Sequence, residues 1–331
     1  MRLTIVPSLA LLAACHGAAP SAVSPTLPRG GTVVVVANQE SGSASVLSAD
    51  GLTMRVLAVG NGPHEAQAQV SPDGRTAVVT IYGDRTPGNR LAIVDLVRDT
   101  VVRTIDLGRY ARPHGVRFLG GRSDRIAVTS EVAGAVVLVD LATDSITAVP
   151  TNGRASHMVA VSADGRRAWT SNVRDNSVSE LDLAGHAFVR KFPVPAEPEG
   201  ITVTPDGKEV WVGSNQTGAV TVISTATGQP VFTFSGATFP YRLDASADGK
   251  RIAIVDGKGG QVLFVDRATR TATGTVHLDD PRGVAFASDG RTAWVTVGSG
   301  QVAEVDVTTA AVKRQLATEA SPDGVGVGVR P

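Results

Sequence analysis

The chain carries 331 residues, more than one small core needs, with 31 basic and 31 acidic side chains and a formal net charge of +0. Several domains or a repeat array are therefore expected, and balanced charge without a basic stripe argues against nucleic acid as a partner. Aromatic residues at 4% argue against stacking platforms for bases or sugars, while 42% hydrophobic residues with 36 Gly and 18 Pro suit a turn-dense all-β protein.

Taken in order, the chain opens on a targeting segment. Arg2 precedes the apolar run LTIVPSLALLAA, which is too short to span a bilayer as a mature helix. The run ends in Leu12-Ala13-Ala14-Cys15, which resembles the lipobox of bacterial lipoproteins. The alternative is an ordinary secretory signal that happens to hold a cysteine. The resemblance implies that residues 1–14 are a signal peptide, that Cys15 is lipidated, and that the membrane is a partner through this anchor. The expected address is the bacterial cell envelope, facing the periplasm or the outside. Cys15 is the only cysteine, so no disulfide is expected. Residues 15–29 are small, polar and Pro-rich, the composition of a flexible tether.

Residues 30–331 repeat one unit. Its most regular copy runs from Pro198 to Phe239: ITV, the turn TPDG, KEVWVGS, AVTVIS, the turn TATG, then PVFTF. Short β-branched runs bounded by Gly, Pro, Asp and Asn predict four strands. Starts of the first strand align as Pro63-His64-Glu65, Pro113-His114-Gly115, Ser156-His157-Met158, Pro198-Glu199-Gly200, Pro240-Tyr241-Arg242, Pro281-Arg282-Gly283 and Pro322-Asp323-Gly324. Their spacing is about forty residues, the range of propeller blades. Trp169, Trp211 and Trp294 share one position in the second strand, so they are expected in the core. Asp95, Asp140, Asp182, Asp266 and Asp306 end third strands and are expected to cap turns. Residues 31–58 supply a second, third and fourth strand but no first, and Asp323–Arg330 supply a lone first strand. Joined, they complete a blade and close a ring of seven, leaving only short protected edges.

The repeat P-x-G-V-x-V-(S/T)-P-D-G-(K/R)-x-A-W-V, followed by V-x-V-(I/V)-D-x-A-T, resembles the YVTN-type β-propeller repeat, seen also in the lactonase-like, YncE-like propeller superfamily. The resemblance covers nearly all of residues 30–331. It implies an all-β, seven-bladed propeller with four antiparallel strands per blade. Function stays open, because such propellers serve as scaffolds, binding modules and enzymes.

Antiparallel geometry puts the start of strand one, the strand two–three loop and the end of strand four on one face. The innermost strands then ring a channel mouth with His64, His114, His157, Glu199, Tyr241, Arg282 and Asp323. His64, His114, His157 and Glu199 are candidate metal ligands, since neutral imidazoles with a carboxylate suit Zn²⁺ or a similar divalent ion. The other reading is a repeated strand start whose His bonds backbone at a blade junction. A long strand two–three loop, Tyr82–Arg90, is expected to hang Asp84 and Arg85 over the mouth beside His64 and Glu65. Glu131, Asn172, Arg174, Asn215, Arg242 and Lys258 are further rim candidates.

No G-x-S-x-G elbow, catalytic Cys, P-loop or H-E-x-x-H is present, and no C-x-x-C-H for covalent haem. The expectation is a monomeric, non-catalytic binding or scaffold module that requires no cofactor. It would engage a small polar ligand or a protein partner at the mouth through the ring residues, Glu65, Asp84 and Arg85. The alternative, implied by the resemblance to propeller lactonases, is a hydrolase. There His114 or His157 would be the base, Glu199 its partner, and Arg242 or Arg282 the oxyanion donor.

Overall fold

Short β-branched segments broken by Asp-Gly turns can satisfy their backbone only by pairing with one another, and they do so in antiparallel fours. The computed structural model describes residues 30–48, 50–51, 54–60 and 66–331, which form seven four-stranded sheets. The expected signal segment, Cys15, the tether, His64 and Glu65 lie outside the described residues. Blades are numbered here from the one that contains Thr32–Asn38. Blade 2 runs over residues 68–106, and blades 3 to 7 begin with the strands at Pro113, Ser156, Pro198, Pro240 and Pro281.

Blade 1 is completed across the chain. Pro322–Val329 pairs antiparallel with Thr32–Asn38, setting Val34 opposite Val327 and Val36 opposite Val325. Arg330 then forms a buried ion pair with Asp99 in the strand three–four turn of blade 2. The expected ring of seven is therefore closed.

The first three strands of each blade are covered on both faces by neighbouring blades, so they are buried nearly throughout, as in Arg251–Asp256 and Gln261–Asp266. Fourth strands lie at the rim and alternate buried with exposed positions, as in Ala187–Pro193. Trp169, Trp211 and Trp294 are 0–2% exposed and fill the layers between sheets. Their shared repeat position is a core position.

The turns follow their chemistry. In TPDG, the Asp206 carboxylate accepts from Thr204 Oγ1 at 2.6 Å and from the Lys208 N–H at 3.1 Å. Gly207 supplies the φ of +69° that a side chain would resist. Asp95, Asp140, Asp182, Asp266 and Asp306 each accept backbone N–H groups two or three residues on, which is the capping role expected of them. The long loop of blade 2 is corrected. Residues 76–83 and 87–95 continue as strands, with Gly83 paired to Pro87, so a projecting hairpin with a three-residue tip replaces the loop.

Candidate functional site

On blades 1 and 3 to 7 the innermost strand enters the channel through a register shift. In blade 5, Pro198 pairs with Ser214 but Ile201 pairs with Val212, leaving Glu199 and Gly200 opposite one residue. The same shift occurs at Pro113/Val116, Ser156/Val159, Pro240/Arg242 and Pro281/Val284, and on blade 1 between Val36 and Asn38. Such a bulge kinks the strand and re-aims its side chains. At Gly200 the next innermost strand comes so close that a Cβ would sit 2.8 Å from the Cα of Arg242.

Hydroxyls on second strands fix the bulges to the neighbouring blade. Thr129 Oγ1 accepts from the Gly115 N–H at 2.9 Å and donates to the His157 carbonyl at 2.6 Å. Ser171 joins the Met158 N–H to the Glu199 carbonyl, and Thr296 joins the Gly283 N–H to the Asp323 carbonyl. Three ring residues are thus held by the blade before them.

Register corrects the ring in blade 2. His157 stands five residues before Ser162 and Glu199 five before Thr204; five before Ser71 is Ala66, not His64. The Gln67 N–H bonds Thr80 Oγ1 at 2.8 Å, as Gly115 bonds Thr129. Ala66 therefore holds the place of His114, while His64 and Glu65 lie outside the described residues.

The structure brings together His114, His157, Glu199, Arg242 and Asp323. His157 Nε2 lies 2.7 Å from Glu199 Oε1, and its Nδ1 lies 3.6 Å from Glu131 Oε1. Arg242 Nη1 donates to the same Glu199 oxygen at 2.7 Å, and its Nη2 lies 3.9 Å from Asp323 Oδ1. His114 lies against His157, and Tyr82 meets His114 edge-on with centroids 5.6 Å apart. The Tyr82 hydroxyl donates to Glu131. The result is one polar network running from blade 2 round to blade 1.

Burial alone would raise the Glu199 carboxyl, but the His157 imidazole and the Arg242 guanidinium outweigh it and hold it at about 2. Burial pushes His114 well below the usual histidine range, and the neighbouring His157 and Arg242 add to that. Burial raises the Asp323 carboxyl, opposed by Arg242 and Arg282. Along the innermost strands, Arg117 and Asp244 are each destabilised as ions by burial and supported by the other's charge.

Other expected residues flank this network or lie away from it. Tyr241 supports the Arg242 guanidinium, whose carbon is 3.9 Å from the ring centroid. Arg282 forks onto Asp280 at 2.7 and 3.0 Å and donates to Ser321 Oγ at 2.7 Å. Asp84 accepts the Thr86 N–H of its own turn, and Arg85 is exposed. Asn172 is buried among Ser156, Ser177 and Ser179 as a corner brace. Among the described residues, no group of three or more His, Cys, Asp or Glu is disposed to hold a metal ion. His157 turns Nε2 to Glu199, and His114 meets His157 face-on.

Neither the Tyr82–Glu131 contact nor the Arg117–Asp244 pair has a motif. Arg242 did carry a signal, because it stands where other blades have Gly115, Gly200, Gly283 and Gly324.

Residues 124–235 match the family model described as YNCE-like beta-propeller. No curated protein matches the chain. Among solved structures, a chain of hydrazine synthase from Kuenenia stuttgartiensis is similar at a TM-score of 0.68 and 17% identity, over 78% of this chain and 88% of that one. At that identity the likeness speaks for the fold alone.

Proposed function

We propose that this propeller, YncE-like over part of its length, is a non-catalytic binding module of the bacterial cell envelope, lipid-anchored at Cys15, that engages a small polar ligand at its channel-mouth face. One observation carries the non-catalytic reading: the groups a hydrolase would use are engaged with one another. His157 Nε2 faces Glu199 at 2.7 Å, and Arg242 takes the same carboxylate oxygen. A general base needs a nitrogen within reach of the water it activates. His114, 0% exposed, offers none to solvent. Such a network suits a scaffold that holds the mouth in one shape.

The envelope address rests on Leu12-Ala13-Ala14-Cys15. Labelled fatty acid should enter the wild-type protein in bacterial cells and be absent from Cys15→Ala. The competing reading is a lactonase-like hydrolase built on His157, Glu199 and Arg242. A panel of lactones offered to wild type and Glu199→Gln separates the two. Equal background rates are expected; turnover present in wild type and lost in Glu199→Gln overturns the binding-module reading.

A further inference from the structure

Beside the buried network lies a separate cleft on the mouth face, where blades 6, 7 and 1 meet. It is an open cleft of about 380 Å³, lined by Gln39, Phe239, Tyr241, Lys258, Arg282 and Ser321 among others, a volume in the range of small-ligand sites. Its existence traces to single residues. At the first position of the strand two–three turn, blades 1, 3 and 5 carry Gln39, Glu131 and Asn215, whereas blades 6 and 7 carry Gly257 and Gly298. A Cβ at Gly257 would point among the Pro281 carbonyl, the Phe239 ring and the Tyr241 Cβ, each 3.5–3.7 Å away. The cleft is thus the volume that a side chain fills in other blades.

Its chemistry has two parts. Phe239 and Tyr241 stack nearly parallel, with centroids 5.9 Å apart and planes 21° apart, and give the cleft an aromatic side. Lys258 Nζ stands 4.1 Å from the Phe239 centroid, and among the described residues no ion pair to a carboxylate is seen for it. Asp280, the acidic residue of the cleft, is occupied by the Arg282 fork. Gln39 and Ser321 add polar groups at the far side, both already in contact with Arg282. A surplus ammonium above an aromatic wall favours an anion that has a flat face.

We infer that this cleft binds a small organic carboxylate bearing a planar apolar group, with the carboxylate at Lys258 and the plane against Phe239 and Tyr241. The inference rests on the reading of the mouth face as a ligand face, and it names the class of ligand. The Arg242 guanidinium that backs Tyr241 also holds Glu199, so the wall is braced by the channel network.

Calorimetric titration with benzoate, benzamide and acetate tests it. Benzoate should bind saturably and at least about tenfold more tightly than either comparison compound, since one lacks the charge and the other the ring. Lys258→Gln should weaken benzoate about tenfold and leave benzamide unchanged. Gly257→Leu, whose backbone φ a side chain accepts, should abolish binding while circular dichroism and Tm stay at wild-type values. No saturable benzoate binding, or equal benzoate affinity in wild type and Lys258→Gln, overturns the inference. Lactone turnover alongside intact benzoate binding would remove the non-catalytic reading and leave the cleft standing. An inert protein that ignores benzoate would remove the cleft alone.

Discussion

His114 lies flat against His157, with ring centroids 3.8 Å apart and planes inclined by 22°, and the burial of His114 in this stack shapes how the molecule answers to acid. Burial, then the charges of His157 and Arg242, hold the His114 imidazole well below its ordinary value of 6.5. The unfolded chain takes up a proton near 6.5 that the folded chain refuses, so stability is full above that pH and falls below it. The slope approaches about 1.4 kcal/mol per pH unit. His114→Phe keeps a flat ring without a titrating nitrogen. Its Tm should fall less than that of wild type between pH 7 and 5; equal falls would show that His114 does not set this window.

Glu199 opens a second window lower down. Its carboxyl is held at about 2, against 4.5 for an ordinary glutamate. A depressed carboxylate contributes stability that is present above 4.5 and lost as pH drops toward 2. The contribution is roughly 3 kcal/mol at neutral pH. Glu199→Gln should be destabilised at pH 7 by an amount of that order, with the gap narrowing steadily from pH 4.5 downward. Urea unfolding at pH 7, 4 and 3 measures it, and a gap that stays constant would contradict the assignment.

Thr129 tests the clamp between blades 3 and 4. Thr129→Val has nearly the same shape but leaves the Gly115 N–H and the His157 carbonyl without the hydroxyl that joins them. A buried polar group left unpaired costs about 1–3 kcal/mol. Thr129→Ser, which keeps the hydroxyl, should recover most of the loss in a urea titration. If serine is no better than valine, the hydroxyl contributes nothing.

The buried pair between Arg330 and Asp99 fastens the closing strand to blade 2. Arg330→Met removes the guanidinium partner of a buried carboxylate and should cost about 3–5 kcal/mol. Arg330→Met with Asp99→Asn should be more stable than Arg330→Met alone. Denaturant midpoints of the two variants decide it, and identical midpoints would mean the charge is not what hurts.

The fold was legible because its signals are local and repeated. Asp206-Gly207 and its counterparts set the turns, β-branched runs set the strands, and the split strand at the two ends set the closure. The site was legible only in part. His114, His157, Glu199 and Asp323 come from their repeat position, whereas the Pro63-His64 pair imitates Pro113-His114 two residues early in the repeat. The distance to the turn at Ser71 carries the phase, and it points to Ala66. The Tyr82–Glu131 contact stayed invisible because it joins neighbouring blades. It depends on how far a hairpin leans, and no spacing within one repeat encodes that.

Closure of blade 1 has a consequence for assembly. The strand Pro322–Val329 pairs with Thr32–Asn38 from almost the whole chain away, so this is the most entropically demanding contact in the ring to make. A chain interrupted before Pro322 would present Thr32–Asn38 as an unfilled slot. A synthetic peptide with the sequence of residues 322–331 is the natural plug for that slot, added in trans by strand donation. The circle therefore carries within itself the halves of a complementation pair.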